Sequence, residues 1–208
     1  MDSLSSFNKR ANRDQIAPDI TTEEQEIING LQSGDPRAIE KLYLSYFERL
    51  YSFIFHSVKR DQSIAEDIIQ ETFLGAIKSA KQFKGKSKLY TWLAGIAHHK
   101  IYDYYRSQAR KLNLNNSLII DTIVPSQTVS DISRELADGL ESTELRLTVR
   151  QALSNLPFDY QQVLLLKYVE NMSIIEISQV MNRSPKAIDG LLTRARKMLR
   201  KRLPEKIV

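Results

Sequence analysis

Apolar side chains recur at steps of three and four along most of this chain, and that spacing leaves little room for anything but helices. Ile39, Leu42, Tyr43, Phe47, Leu50, Phe53 and Ile54 form one stripe. Ala65, Ile68, Ile69, Thr72, Phe73, Ala76 and Ile77 form a second, and Leu89, Trp92, Leu93, Ile96, Ala97, Ile101 and Tyr104 a third. No useful run before residue 112 alternates as a half-buried strand would. Seven Gly and six Pro among 208 residues also argue against a turn-rich β architecture. The expectation is an all-α protein of two helical domains joined by a flexible linker, the second domain containing a helix-turn-helix.

Punctuation between the stripes sets the boundaries. Residues 1–22 are a polar tail, 23–111 the first domain, 112–143 an acidic and polar linker, and 144–208 the second domain. A helix is predicted over Thr22–Ser33, followed by a break at Gly34-Asp35-Pro36 with Asp35 as N-cap and Pro36 at the first helical position. Ser63 and Glu66 have capping-box spacing and predict a helix start at Ser63. Lys78–Ser87 reads as a basic loop. In the second domain Leu145, Val149, Ala152, Leu153 and Leu156 form a stripe that Pro157 ends, and Asn171 is placed to close the next helix.

Met172–Arg202 is the most specific local pattern. Ser173 and Glu176 form a capping box, Asn182-Arg183 a turn, and Ser184-Pro185 the start of a longer basic helix that buries Ile188, Leu191, Leu192, Ala195 and Leu199. A short helix, a tight turn and a longer basic helix make a helix-turn-helix, whose second helix meets the DNA major groove. Ser184, Lys186, Ala187, Asp189 and Gly190 would then face base edges, with Arg183, Arg194, Arg196 and Lys197 available for phosphates. A plain helical hairpin with a basic surface is the alternative.

Charge and aromatic placement mark another region. Residues 78–111 carry nine basic side chains and one acidic, and residues 182–208 carry nine and two, whereas residues 1–77 carry eight basic and thirteen acidic. Six of the seventeen aromatic residues fall between Phe83 and Arg106. Basic groups track phosphates, and exposed rings stack on unpaired bases for ~1–3 kcal/mol each, which suits single-stranded or melting DNA. The candidates are Phe83, Lys84, Lys86, Lys88, Tyr90, Trp92, His99, Lys100 and Arg106. Trp92 also lies on the Leu89–Ile96–Ala97 stripe, which points to core packing.

Signals for catalysis, metals and membranes are weak. Zero cysteines remove disulfides, thiolate metal sites and Cys nucleophiles. His98 and His99 point about 100° apart on a helix and do not form a paired metal site. No P-loop or dinucleotide glycine motif is present, so neither an enzyme nor a cofactor is expected. No apolar run approaches ~20 residues, and the first 20 residues hold no apolar core, so a cytoplasmic location is expected.

Both halves together resemble one family. Ala65-Glu-Asp-Ile-Ile-Gln-Glu-Thr-Phe-Leu74, Thr91-Trp-Leu-Ala-Gly-Ile-Ala97, Tyr102-Asp-Tyr-Tyr-Arg106, Leu156-Pro157, Gln161–Leu166 and Arg194-Ala-Arg196 are similar, in this order, to segments of the extracytoplasmic-function (ECF) subfamily of bacterial RNA polymerase sigma factors. The resemblance covers about residues 36–111 and 144–203. It implies a transcription initiation factor with core RNA polymerase and promoter DNA as partners, together with an anti-sigma factor. Asp67, Gln70, Glu71 and Phe73 match the helix that docks on the β′ clamp helices. Phe83–Tyr90 matches the loop that captures a flipped minus-ten base, with Lys100 and Arg106 along the non-template strand. The second domain would read the minus-thirty-five element beside the β flap, and the linker would thread toward the RNA exit path. His99 stands where many members carry Asn, and Asp189 and Leu191 stand where Lys and Arg are frequent. A helix-turn-helix regulator working without polymerase would account for 172–202 but not for the Ala65–Leu74 helix.

Overall fold

A computed structural model describes residues 20–111 and 148–203, except 150 and 154. The expected tail and linker lie largely outside the described residues. All regular structure among the described residues is helical. The first domain comprises α1 (Thr22–Ser33), α2 (Pro36–Ser57), α3 (Gln62–Ser79) and α4 (Leu89–Lys111). Helical residues near 148–153 lead into α5 (Phe158–Leu164), α6 (Ile174–Val180) and α7 (Pro185–Arg202) of the second.

Local chemistry explains most helix ends. Thr21 and Glu24 form a capping box at α1, and Gly34 ends that helix at φ 81°, a left-handed conformation that glycine adopts without steric cost. Asp35 caps α2 with Pro36 at its first position, as expected. The start of α3 differs from expectation. Asp61, not Ser63, accepts the amide of Ile64 at 3.1 Å, because the left-handed Lys59 and Arg60 turn the chain so that Asp61 sits at the helix mouth. Glu66 is instead bonded by Gln62. The basic loop is also shorter than predicted. Nothing stops α3 before Ser79, and a tight 3₁₀ turn then takes Ala80–Gln82.

The core of the first domain is the shared interior of its four helices. Leu42, Leu50, Phe53, Ile54, Leu89, Leu93 and Ile101 are essentially inaccessible to solvent. Burying each such side chain contributes about 1.5–3 kcal/mol relative to leaving it exposed. α1 also positions α4 and the loop before it. The Glu24 carboxylate accepts the Leu89 amide at 3.2 Å, supplying a long-range cap to α4. The Gln32 side-chain amide donates to the carbonyls of Ala80 at 3.3 Å and Phe83 at 3.1 Å, pinning the start of the basic loop.

In the second domain α5 widens into a π-helical turn, Leu165–Val169, that closes with the Glu170 amide on the Leu165 carbonyl at 3.1 Å. Asn171 then turns left-handed at φ 52° and ends the run. Ser173–Glu176 caps α6, Asn182 makes the tight turn at φ 50°, and Ser184 caps α7 through the Ala187 amide. The two domains touch: α4 packs along α6, and Phe158 lies against His98, Tyr102 and Tyr105.

Gly30 is where α1 crosses α2. A Cβ there would fall 2.5 Å from the Ala38 Cβ, inside any tolerable contact. Gly30→Ala therefore destabilises the protein by about 1–3 kcal/mol through overpacking, although Ala favours an isolated helix. Chemical denaturation of the full chain measures it; a stabilised variant would show that α1 does not cross here.

Candidate nucleic-acid interface

Helical register on α3 sorts its residues into two faces. Asp67, Gln70 and Glu71 are exposed, and Leu74, one turn further along, is 55% exposed. Phe73, expected beside them, turns inward to 8% exposure with its ring 5.3 Å from that of Tyr43, because it follows Ile69 by four positions on the buried side. Glu71 pairs with Lys100 of α4 at 2.9 Å.

The aromatic and basic block divides in the same way. Lys84, Lys86 and Lys88 are exposed on the loop, as are His99 and Arg106 on α4. Phe83 and Tyr90 are buried, at 8% and 6% exposure, and Trp92 is half-buried with its ring 4.8 Å from that of Phe83. A base can stack on Phe83 or Tyr90 only after their cover moves. His99 is held by Asp103, one turn on, at 3.0 Å.

On α7 the exposed side of the first turns carries Ser184, Lys186, Ala187 and Asp189, with Gly190 half-buried. Arg194, Arg196 and Lys197 are exposed further along. A Cβ at Gly190 would sit 3.4 Å from the Arg194 guanidinium, which therefore lies over this turn of the helix at ordinary contact distance. Arg183 is ion-paired to Asp159, and Arg196 donates to the Tyr168 hydroxyl at 2.8 Å. The recognition helix thus presents its N-terminal turn to solvent, the arrangement that major-groove reading requires.

Sequence reasoning missed the contacts between the domains. Arg49 of α2 donates from Nε to the Glu170 carboxylate at 3.0 Å and from Nη2 to the Glu170 carbonyl at 2.9 Å. The Tyr90 hydroxyl donates to the same carboxylate at 2.5 Å, and the Arg49 guanidinium lies 3.7 Å over the Tyr90 ring. Burial and the adjacent Glu170 carboxylate both push the Tyr90 phenol well above its ordinary range. Lys88 pairs with Glu176 at 3.4 Å, and Gln179 donates to the Lys86 carbonyl at 3.1 Å. These partners lie 80 to 121 residues apart where a hydrogen bond joins them at Glu170, a separation that no local pattern reveals. A groove of about 660 Å³ between α4 and α6 is lined by Trp92, His98, Lys100, Gln179 and Arg183, among others. No group of three or more His, Cys, Asp or Glu residues able to hold a metal occurs among the described residues.

Two helical domains, one with an exposed acidic and apolar face beside a basic aromatic loop and the other a helix-turn-helix, define a nucleic-acid-binding protein. Comparison with known proteins narrows the class. Sigma-70 region 2 matches residues 42–111, and Sigma-70, region 4 matches residues 146–199. The RNA polymerase sigma factor YlaC of Bacillus subtilis is 29% identical over 170 residues, spanning 80% of this chain and 92% of YlaC. The ECF RNA polymerase sigma factor SigW of the same organism is 28% identical over 188 residues, spanning 85% and 94%. In fold, the chain is similar to CnrH, solved in complex with the cytosolic domain of CnrY, with TM-score 0.60 and 22% identity over 86% of this chain and 96% of CnrH. It is similar also to the sigma factor RpoE of Bartonella quintana, solved with the anti-sigma factor NepR, with TM-score 0.57 and 20% identity over 78% and 94%. The chain belongs to the ECF subfamily of RNA polymerase sigma factors and serves promoter-directed transcription initiation.

His98 gives this region a pH dependence. Burial lowers its pKa to about 4, opposed by the Asp159 carboxylate and assisted by Arg183 and His99. The unfolded chain takes up this proton first, near pH 6.5, so the stability His98 contributes is complete above that pH and is lost as pH falls toward about 4. Urea unfolding at pH 7 and pH 5 should show a loss of about 2 kcal/mol in the parent that His98→Gln largely abolishes. Equal losses in both would assign the dependence to other groups.

Proposed function

We propose that residues 23–111 form the sigma region 2 domain, which docks on the β′ clamp helices of core RNA polymerase and recognises and melts the minus-ten element. Residues 144–208 form the region 4 domain, which reads the minus-thirty-five element beside the β flap. Residues 112–143 connect them, and 1–22 precede them. The observation that carries this reading is the exposed face of Asp67, Gln70, Glu71 and Leu74, on a helix whose other side is core. A duplex-DNA regulator working alone has no use for an exposed acidic and apolar patch on a helix outside its helix-turn-helix.

Each group has a role in this scheme. Asp67 and Gln70 meet the clamp, with Leu74 as the apolar centre of the contact and Glu71 shared with Lys100. Lys84, Lys86, Lys88 and Arg106 follow the non-template strand, and Phe83, Tyr90 and Trp92 supply the rings for an unstacked base. His99 stands at the minus-ten reading position. Ser184, Lys186, Ala187, Asp189 and Gly190 face minus-thirty-five bases, and Arg183, Arg194, Arg196 and Lys197 neutralise phosphates. The protein acts by binding, without catalytic chemistry of its own, and works in the cytoplasm; no helix among the described residues is long and apolar enough to cross a membrane. The fold likeness to RpoE, solved with the anti-sigma factor NepR, supports an anti-sigma factor as a further partner.

Run-off transcription with purified core enzyme on a promoter library tests the whole scheme, and transcripts dependent on the chain are expected. Absence of any start, together with failure to retain core enzyme at low salt, would refute it. Asp67→Lys should weaken core binding by about tenfold or more with unchanged helicity, since reversing a desolvated interfacial charge costs about 2 kcal/mol or more. Arg194→Ala should weaken binding to all promoters and reduce the salt slope by about one. Lys186→Ala should change which minus-thirty-five sequences are chosen. Fluorescence anisotropy across a salt series separates the last two outcomes.

A further inference from the structure

The helix α1 contains no Lys or Arg and carries Glu23, Glu24 and Glu26, so it offers a DNA strand no cation. Yet its side chains hold both ends of the basic loop. We infer that Ile20, Glu24 and Gln32 are positioning residues for minus-ten recognition: they keep residues 84–88 in the shape that selects one unpaired base over another, without touching DNA themselves. The inference deepens the function proposed above and rests on its assignment of Phe83–Tyr90 to the minus-ten strand.

The loop's own sequence does not fix its shape. Between the 3₁₀ turn and Leu89 it has no regular structure, and it turns left-handed at Gly85, φ 63°. Lys84, Lys86 and Lys88 are all exposed, and no acidic residue lies among them, so their charges push the loop apart. The anchors come from α1 and the residue leading into it. At the near end the Gln32 side-chain nitrogen carries two hydrogens and donates to the carbonyls of both Ala80 and Phe83. The Phe83 ring lies 4.8 Å from that of Trp92, so holding the Phe83 backbone holds this ring pair as well. At the far end one Glu24 oxygen accepts the Leu89 amide and the Tyr46 hydroxyl, both at 3.2 Å, while the other accepts the Thr21 amide at 3.1 Å. Burial and the Glu24 carboxylate push the Tyr46 phenol well above its ordinary range, so it stays a donor. The Tyr46 ring stacks on that of Tyr90 with centroids 6.3 Å apart. In the middle, a Cβ at Gly85 would lie 3.4 Å from the Ile20 Cδ1, so Ile20 rests on the left-handed turn itself.

Shape matters here because the loop's two kinds of contact are indifferent to sequence. Every base has a face to stack on a ring, and every nucleotide brings a phosphate to a lysine. Choosing among bases requires the rings and backbone to be held in one arrangement before the strand arrives, so that a wrong base loses contacts that the right one keeps. Glu24 and Gln32 supply that arrangement from a helix outside the DNA path. Without them the loop still attracts a strand, and its preference among bases falls.

The full chain is assembled with core polymerase, and fluorescence anisotropy follows binding to fork-junction DNA with an unpaired minus-ten strand. The fork is built from a start site found in the run-off library, and each unpaired position carries the four bases in turn. Gln32→Glu keeps the side chain's shape and removes both hydrogens; Glu24→Ala removes the acceptor. Each is expected to cut the parent's largest base preference by about fivefold or more, chiefly by weakening the favoured base. Affinity for core polymerase and for duplex minus-thirty-five DNA should stay within about twofold of the parent. Glu24→Gln should retain the preference, because its side-chain oxygen still accepts from Leu89 and Tyr46. An unchanged preference, or a loss equal for all four bases, would overturn the inference, since the anchors would then serve folding alone. Should Gln32→Glu and Glu24→Ala both lose helicity, Ile20→Ala, which leaves every one of these hydrogen bonds in place, is read by the same measure. A parent complex indifferent to every base refutes the loop's minus-ten role, a separate failure that removes the ground of this inference too.

Discussion

Both halves of this protein are built against one helix. The inner side of α4, with Leu89, Leu93, Ala97 and Ile101, completes the four-helix core and is essentially inaccessible to solvent. Its outer side, with Gly95, His98 and Tyr102, receives α6 and Phe158 from the second domain. A helix apolar on one side and aromatic with small residues on the other has two ways to remove surface from water. The first is permanent, since the four-helix core cannot form without it. The second leaves buried polar atoms, Gln162 Nε2 and His98 Nε2, without hydrogen-bond partners among the described residues. The Glu24 carboxylate that caps α4 from α1 fixes where this helix begins, and hence where the basic loop ends.

Four of the ten lysines and arginines expected to meet DNA are engaged inside the chain. Lys88 pairs with Glu176, Lys100 with Glu71, Arg183 with Asp159, and Arg196 with the Tyr168 hydroxyl. These pairs have partners at least partly open to water, and such pairs contribute about 0–1 kcal/mol. They can be exchanged for phosphate contacts at small cost, and a strand that displaces them also releases its condensed counterions. The acidic side chains thus act as internal counterions in a chain whose pI is near 9.3. Arg49 with Glu170 is different, because that carboxylate is buried and lies between two donors.

Much of this was legible from residue order alone. Helix periods and caps located α1, α2, α6 and α7, because Asp35-Pro36, Ser173–Glu176 and Ser184-Pro185 satisfy orphan amides locally. The exposed positions Asp67, Gln70 and Glu71 followed from the stripe opposite them. The misses share one cause, which is that their partners are distant. Asp61 displaced Ser63 as a cap because a left-handed turn at Lys59 and Arg60 precedes it, and neither residue type advertises that conformation. Phe83 and Tyr90 read as candidate stacking rings, yet their burial depends on packing from elsewhere in the fold. Glu170 carries no local signature at all. It reaches the interface because a π-helical turn rotates it there, and its partners come from α2 and from the start of α4.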